Sequence, residues 1–199
     1  MLKLNEETLD QLESRVAHLE SGTTVEVVMV MTARADNYKD LSLLTAIVSA
    51  WTFLLLAVFS PWEVDSYWLP LDILLIGGLS YYLSAHSPPW IRALSSKKRR
   101  MAAVKQGAER CFTSEQVAST LERTGLLVYV AFLEQQVYCL ADGGITATIP
   151  EAKFNSLPWS TKNIEGLEAG LDALDALLQE ALPSREENPD ELPNRPRLL

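Results

Sequence analysis

The chain has 199 residues and a formal net charge of -9, enough for one modest soluble domain beside any membrane segment. The acidic balance argues against nucleic acid as the main ligand, and two cysteines at unrelated positions, Cys111 and Cys139, match neither a metal nor a redox spacing. A reducing cytoplasm would keep both as thiols.

In chain order, residues 5–21 predict an amphipathic helix. Leu9, Leu12, Val16 and Leu19 recur at spacings of three and four, Asn5 can cap the start, and Gly22 fits the end. Residues 23–32 predict a strand apolar on both faces, and therefore a sheet covered on both sides. A polar turn over 33–40 follows. Then come two apolar runs, Leu41 to Phe59 without a charge and Tyr67 to Ala85 with Asp72 alone. Each is about 20 residues, and at about 1.5 Å per residue each matches a hydrocarbon core of about 30 Å.

The break between them, Ser60 to Ser66, is too short to be a domain, so the reading is a transmembrane helical hairpin over 41–86. Trp62, Tyr67 and Trp68 cluster at one end and Tyr81, Tyr82 and Trp90 near the other, as interfacial aromatics do. Arg34 and Lys39 precede the hairpin; Arg92 and the run Lys97, Lys98, Arg99, Arg100 follow it; the connecting loop holds only Glu63 and Asp65. The positive-inside rule places both termini in the cytoplasm. The basic run is suited to anionic lipid head groups. Small residues Ala46, Ser49, Gly77 and Gly78 would let helices approach closely. No targeting sequence or internal repeat stands out.

Beyond the membrane, residues 97–112 predict a helix, and Thr113 with Gln116 reads as a capping box restarting a helix to Arg123. Residues 126–133 and 137–140 predict strands joined by a tight hairpin at Glu134 and Gln135. Asp142-Gly143-Gly144 breaks the third strand, Pro150 opens a short helix, and Asn163 caps a last one with Ile164, Leu167, Leu171, Leu174 and Leu178 inward. Pro183 stops it. From Ser184 the tail is Pro-rich and charged, with too few apolar residues to fold alone. The strand near Val25 needs the hairpin at 126–140 as its partner. The expected layout is therefore 1–40 and 87–183 forming one soluble domain, 41–86 the membrane hairpin, and 184–199 a tail.

Thr24-Val25-Glu26-Val27-Val28, Arg123-Thr124-Gly125-Leu126-Leu127-Val128-Tyr129-Val130 and Ala141-Asp142-Gly143-Gly144-Ile145, taken in this order, resemble the TPM domain family. The likeness extends to its bacterial membrane-protein branch, which inserts two helices after the first strand and ends in a segment like Glu191-Leu192-Pro193-Asn194-Arg195-Pro196. The resemblance implies an α/β/α sandwich with a small mixed sheet, interrupted by the transmembrane hairpin, in the inner membrane. Some members are phosphatases and some bind divalent metal through acidic loop residues. By position the candidates here are Asp36 and Asp142, with Ca²⁺ or Mg²⁺ as the suited ions. The chain shows no Cys-x5-Arg loop, His pair or dense Asp motif, and no Arg or Lys placed beside either carboxylate by spacing. The expected function is a membrane-anchored, cytoplasm-facing module that assembles or maintains a membrane complex with a membrane-protein partner. The alternatives are a metal-dependent phosphatase and an accessory subunit of a transporter.

Overall fold

A computed structural model describes residues 5–61, 67–120, 122–184, 192 and 194–199. The expected outer loop with Trp62, Glu63 and Asp65, and the tail segment 185–191, lie outside the described residues. The chain divides into two compact units, one of residues 1–36 and 100–199, the other of residues 37–99.

The first unit is mixed α/β. Helix α1 (Glu6–Gly22) starts at Asn5, whose side chain accepts from the Thr8 amide at 3.0 Å. Strand β1 (Glu26–Thr32) pairs in parallel with β2 (Gly125–Ala131), Val28 opposite Leu127 and Met29 opposite Val128. Strand β3 (Gln136–Ala141) runs antiparallel to β2, and Gln135 in the tight turn between them takes a left-handed φ of 54°. The residues of β1 and β2 are buried on both faces because each face meets helices. On one side Val27, Met29, Leu126 and Val128 join Leu12, Val16 and Leu19 of α1 and Leu167, Leu171, Leu174 and Leu178 of α8 (Ile164–Ala181). On the other, Val28, Val30, Leu127 and Tyr129 join Val104, Ala108 and Cys111.

Three local expectations change. The helix over Lys97–Ser114 runs straight through Thr113, whose hydroxyl donates to the Glu109 carbonyl within the helix at 3.3 Å. Gln116 then turns left-handed at φ 54°, and only a 3₁₀ turn, Val117–Ser119, follows, so no capping box forms. Asn163 flanks α8 without a side-chain cap bond; its amide donates to Glu165 instead. The tail contributes a fourth strand, Arg197–Leu198, parallel to β1, giving the sheet order third, second, first, fourth in chain numbering. Two short helices, Gly143–Thr146 and Glu151–Asn155, follow β3.

The second unit holds α2 (Lys39–Phe59, 21 residues), α3 (Leu69–Ala85, 17 residues) and α4 (Pro88–Leu94). With these, the helix at Lys97–Ser114 is α5, those at Gly143–Thr146 and Glu151–Asn155 are α6 and α7, and the last strand is β4. The two apolar runs are not equal helices. Among the described residues only α2 is long and apolar enough to cross a membrane by length and composition; α3 is shorter. The difference arises at the start of α3, where Tyr67 and Trp68 stay in the turn and Pro70 occupies the first helical turn. Of the small residues expected at a helix contact, Gly77 and Ala46 meet, a Cβ on Gly77 lying 3.7 Å from both the Ala46 carbonyl oxygen and the Ala50 Cβ, whereas a Cβ on Gly78 would meet nothing within 4 Å and Ser49 lines a groove instead.

Candidate functional site

Two of the segments that carry the family resemblance, at Arg123 and at Asp142, fold into one corner of the sheet. Arg123, in a left-handed turn at φ 57°, precedes β2, and Asp142 follows β3. The antiparallel register sets Leu126 opposite Ala141, so the two turns are adjacent. The Asp142 amide donates to the Gly125 carbonyl at 2.9 Å, and the Gly144 amide to the Arg123 carbonyl at 3.0 Å. The backbones approach so closely that side chains are excluded. A Cβ on Gly144 would sit 2.6 Å from the Glu122 carbonyl oxygen, and one on Gly125 would sit 2.0 Å from that of Val117. Neither glycine has a positive φ, so close approach, and not left-handed backbone, is what requires them.

Asp142 caps α6. Its Oδ1 accepts from the Gly143 amide at 2.6 Å and from the Arg123 guanidinium at 3.2 Å. The residue is buried, and Oδ2 has no hydrogen-bond partner among the described residues. Spacing alone suggested no cation beside Asp142; the structure corrects this, because Arg123 reaches it from the facing turn. No sequence signal marks that pairing, which depends on the strand register.

Asp36 lies elsewhere. It is exposed and follows β1 at the end of the sheet where Thr32 pairs with Ala131 and Ala131 with Gln136. Asp142 follows Ala141 at the other end, separated by a strand length of about 20 Å. The two candidates are therefore not brought together. Among the described residues no three His, Cys, Asp or Glu side chains form a group that could hold a metal ion. Ca²⁺ takes six to eight oxygens and Mg²⁺ a full octahedron, and the surroundings of Asp142 do not fit either.

The sequence also conceals buried carboxylates that serve the backbone. Glu20 accepts from the Val27 amide at 2.7 Å, and Glu134 accepts from the Ala35 amide at 3.0 Å, tying down the segment through which the chain leaves the sheet. The thiols lie on opposite faces, Cys139 among the α1 and α8 side chains and Cys111 on α5. Burial pushes the Cys139 thiol up to about 12 and, chiefly, the Tyr129 phenol up to about 12.

The basic run splits in two. Lys97 and Lys98 are exposed. Arg99 instead grips Asp40, with Nη1 2.6 Å from Oδ2 and Nη2 2.9 Å from Oδ1, and its guanidinium lies 5.3 Å from the centroid of the Tyr38 ring. Arg100 is half-buried. Of the four side chains expected at lipid head groups, Lys97 and Lys98 are the exposed ones.

In the second unit the polarity is inverted. Ser42 and Ser84 are 2% and 4% exposed, whereas Leu56 is 65% and Phe59 81% exposed. Leu43, Leu44, Ile47, Val48, Trp51, Leu55, Leu74, Leu75 and Leu83 are also exposed. A mainly apolar groove of about 500 Å³ runs along α2, lined by Leu44, Val48, Phe53, Leu56, Ile76 and Leu94 together with Thr45, Ser49 and Thr52, and Trp90 of α4 donates from its indole nitrogen to Thr45 Oγ1 at 3.2 Å.

Compared by sequence, the chain matches no family model and no curated protein. Compared by structure, it is similar to the NMR structure of BA42 protein from the psychrophilic bacterium Bizionia argentinensis, with a TM-score of 0.57 and 15% identity over 98% of this chain and 95% of that one. At that identity the likeness is one of fold.

Proposed function

We propose that the chain is a membrane-anchored module of the TPM type, that α2 and α3 cross the inner membrane as a hairpin, and that the α/β domain faces the cytoplasm and holds a membrane-protein partner. The observation that carries this reading is the inverted polarity of the second unit. A helix pair that buries serine and alanine and exposes leucine, tryptophan and phenylalanine suits hydrocarbon, because each large apolar side chain left in water costs about 1.5–3 kcal/mol. Although α3 has 17 residues, at about 1.5 Å per residue it reaches about 25 Å, and Tyr67 and Trp68 beside it suit the head-group region. Exposed Lys97 and Lys98 just past the hairpin suit an anionic cytoplasmic leaflet.

Asp142 supports a structural role better than phosphoryl transfer. One of its oxygens is used by a helix cap and an arginine, and among the described residues no group of acidic, His or Cys side chains that could position a metal is gathered beside the other. A second reading, as an accessory subunit of a transporter, draws on the groove along α2. Its concave apolar lining, with the hydroxyls of Thr45, Ser49 and Thr52 in it, would suit a further helix. Purification in mild detergent distinguishes the two: a retained transporter subunit favours the accessory reading, and retention of other membrane-complex proteins favours the assembly module. Release of the protein from membranes by alkaline carbonate would contradict both.

A further inference from the structure

The C-terminal tail lies on the edge of β1 as a bound peptide would. Arg197 and Leu198 pair in parallel with Val30 and Met31, and the Leu199 amide donates to the Met31 carbonyl at 2.9 Å. Upstream, the Leu192 amide donates to Glu26 Oε2 at 3.3 Å, and the Leu192 side chain packs on the cluster of Val28 and Val30. Two arginines straddle the edge. Arg195 reaches an acidic stripe on α1, pairing with Glu6 and lying 3.7 Å from Asp10 and 3.9 Å from Glu13. Arg197 pairs with Glu115 at the end of α5. Pro196 between them has no amide to leave unsatisfied.

From this arrangement we infer that the β1 edge is a recognition groove for an extended basic peptide of a partner protein, read as an apolar residue followed three and five positions later by arginine, and that residues 192–199 fill it in cis. The chemistry is strand addition: main-chain bonds hold the peptide and side-chain sites select it. The selection comes from charge. Glu6, Asp10 and Glu13 fall at helical spacing on α1, facing one arginine, while Glu115 faces the next but one.

The resident tail is held lightly enough to be displaced. Its ladder covers two residues, Arg197 and Leu198, and both are exposed. The Arg195 side chain is 50% exposed and its partner Glu6 is 81% exposed, so that pair is screened, and the tail's main ionic hold is Arg197 on Glu115, whose side chain is 10% exposed. A partner peptide that reproduces the two arginines competes against a weak intramolecular contact. This inference does not depend on the membrane reading.

The test uses the full chain in detergent and a fluorescein-labelled peptide with the sequence of residues 192–199, followed by anisotropy. Arg195→Ala/Arg197→Ala, which loosens the resident tail, should bind the peptide at least tenfold more tightly than wild type does. Affinity should fall with salt, fall severalfold further when Glu115→Gln is added, and vanish for a peptide with both arginines replaced by alanine. If the double variant does not fold, Arg197→Ala alone, which breaks the pair with Glu115 and keeps the main-chain ladder, carries the same comparison. Equal binding to wild type and variant, or equal binding of a scrambled peptide, would overturn the groove. Dimers that form with rising protein concentration and exclude the peptide would assign the edge to the tail of a second copy, which also overturns the proposal of a distinct partner.

Discussion

Arg123 and Asp142, nineteen positions apart in sequence, meet at 3.2 Å and join the turn ahead of β2 to the turn after β3. The arginine side chain is 69% exposed and the aspartate 7%, so the two contribute unequally. Asp142→Ala removes the acceptor of the Gly143 amide and should cost about 1–2 kcal/mol, the usual value of a helix cap. Arg123→Ala loses an exposed ion pair and should cost less than about 1 kcal/mol. Denaturant unfolding of the two variants checks the order. A larger loss for Arg123→Ala would mean that the ion pair, and not the cap, holds the corner.

High pH should loosen the α/β domain through Tyr129 and Cys139. Both are buried, and both titrate near 12 in the fold, against about 10 and 8.5 for the free side chains. Each neutral form is favoured by the fold, so the stabilisation is complete below the unfolded values. It is lost between pH 8.5 and 12 for Cys139 and between pH 10 and 12 for Tyr129. The expected loss is a few kcal/mol across that range. Unfolding midpoints at pH 7, 9 and 11 measure it, and Tyr129→Phe should flatten the segment above pH 10. An unchanged slope in that variant would remove Tyr129 from the account.

Anionic lipid should be held by Lys97 and Lys98 and not by Arg99, whose guanidinium is occupied by Asp40. Each lysine near an anionic surface is worth about 1 kcal/mol, so Lys97→Gln/Lys98→Gln should weaken binding of a brominated anionic phospholipid roughly 30-fold. Tryptophan quenching reports the binding. The charge-neutral pair Asp40→Asn/Arg99→Gln should bind as wild type does. A comparable loss in that pair would return the role to Arg99.

Much of the α/β domain was legible because its elements carry strong periodic signals. Leu9, Leu12, Val16 and Leu19 mark one helix and Leu167, Leu171, Leu174 and Leu178 another, and all are buried. The doubly apolar strand at Val25 to Met31 required cover on both faces, and it pairs with β2 as expected. What the residues did not reveal depends on distant geometry. The strand at Arg197–Leu198 pairs through two residues, too few to leave a pattern. The expected capping box at Thr113 lost to continuation of α5, since the reversal falls on Gln116, a residue with no special preference for left-handed backbone. Tyr67 and Trp68 at the head of α3 blurred where an apolar run becomes a helix, although Pro70 falls in the first helical turn, where a proline costs no helical hydrogen bond. The site was less legible than the fold. Asp142 was found as a turn residue, but its partner Arg123 is fixed by strand register alone.

The central claim, a hairpin that crosses the membrane and returns, is tested most directly by reporter fusions at two points of the same chain. A reporter that is active only outside the cytoplasm is inserted after Pro61, between α2 and α3, or fused after Leu199. The account predicts activity for the insertion after Pro61 and silence after Leu199, with the full chain retained in the membrane in both cases. Silence at both points would place α2 and α3 on the cytoplasmic side, and activity after Leu199 would mean that α2 crosses without a return; either result would contradict the account.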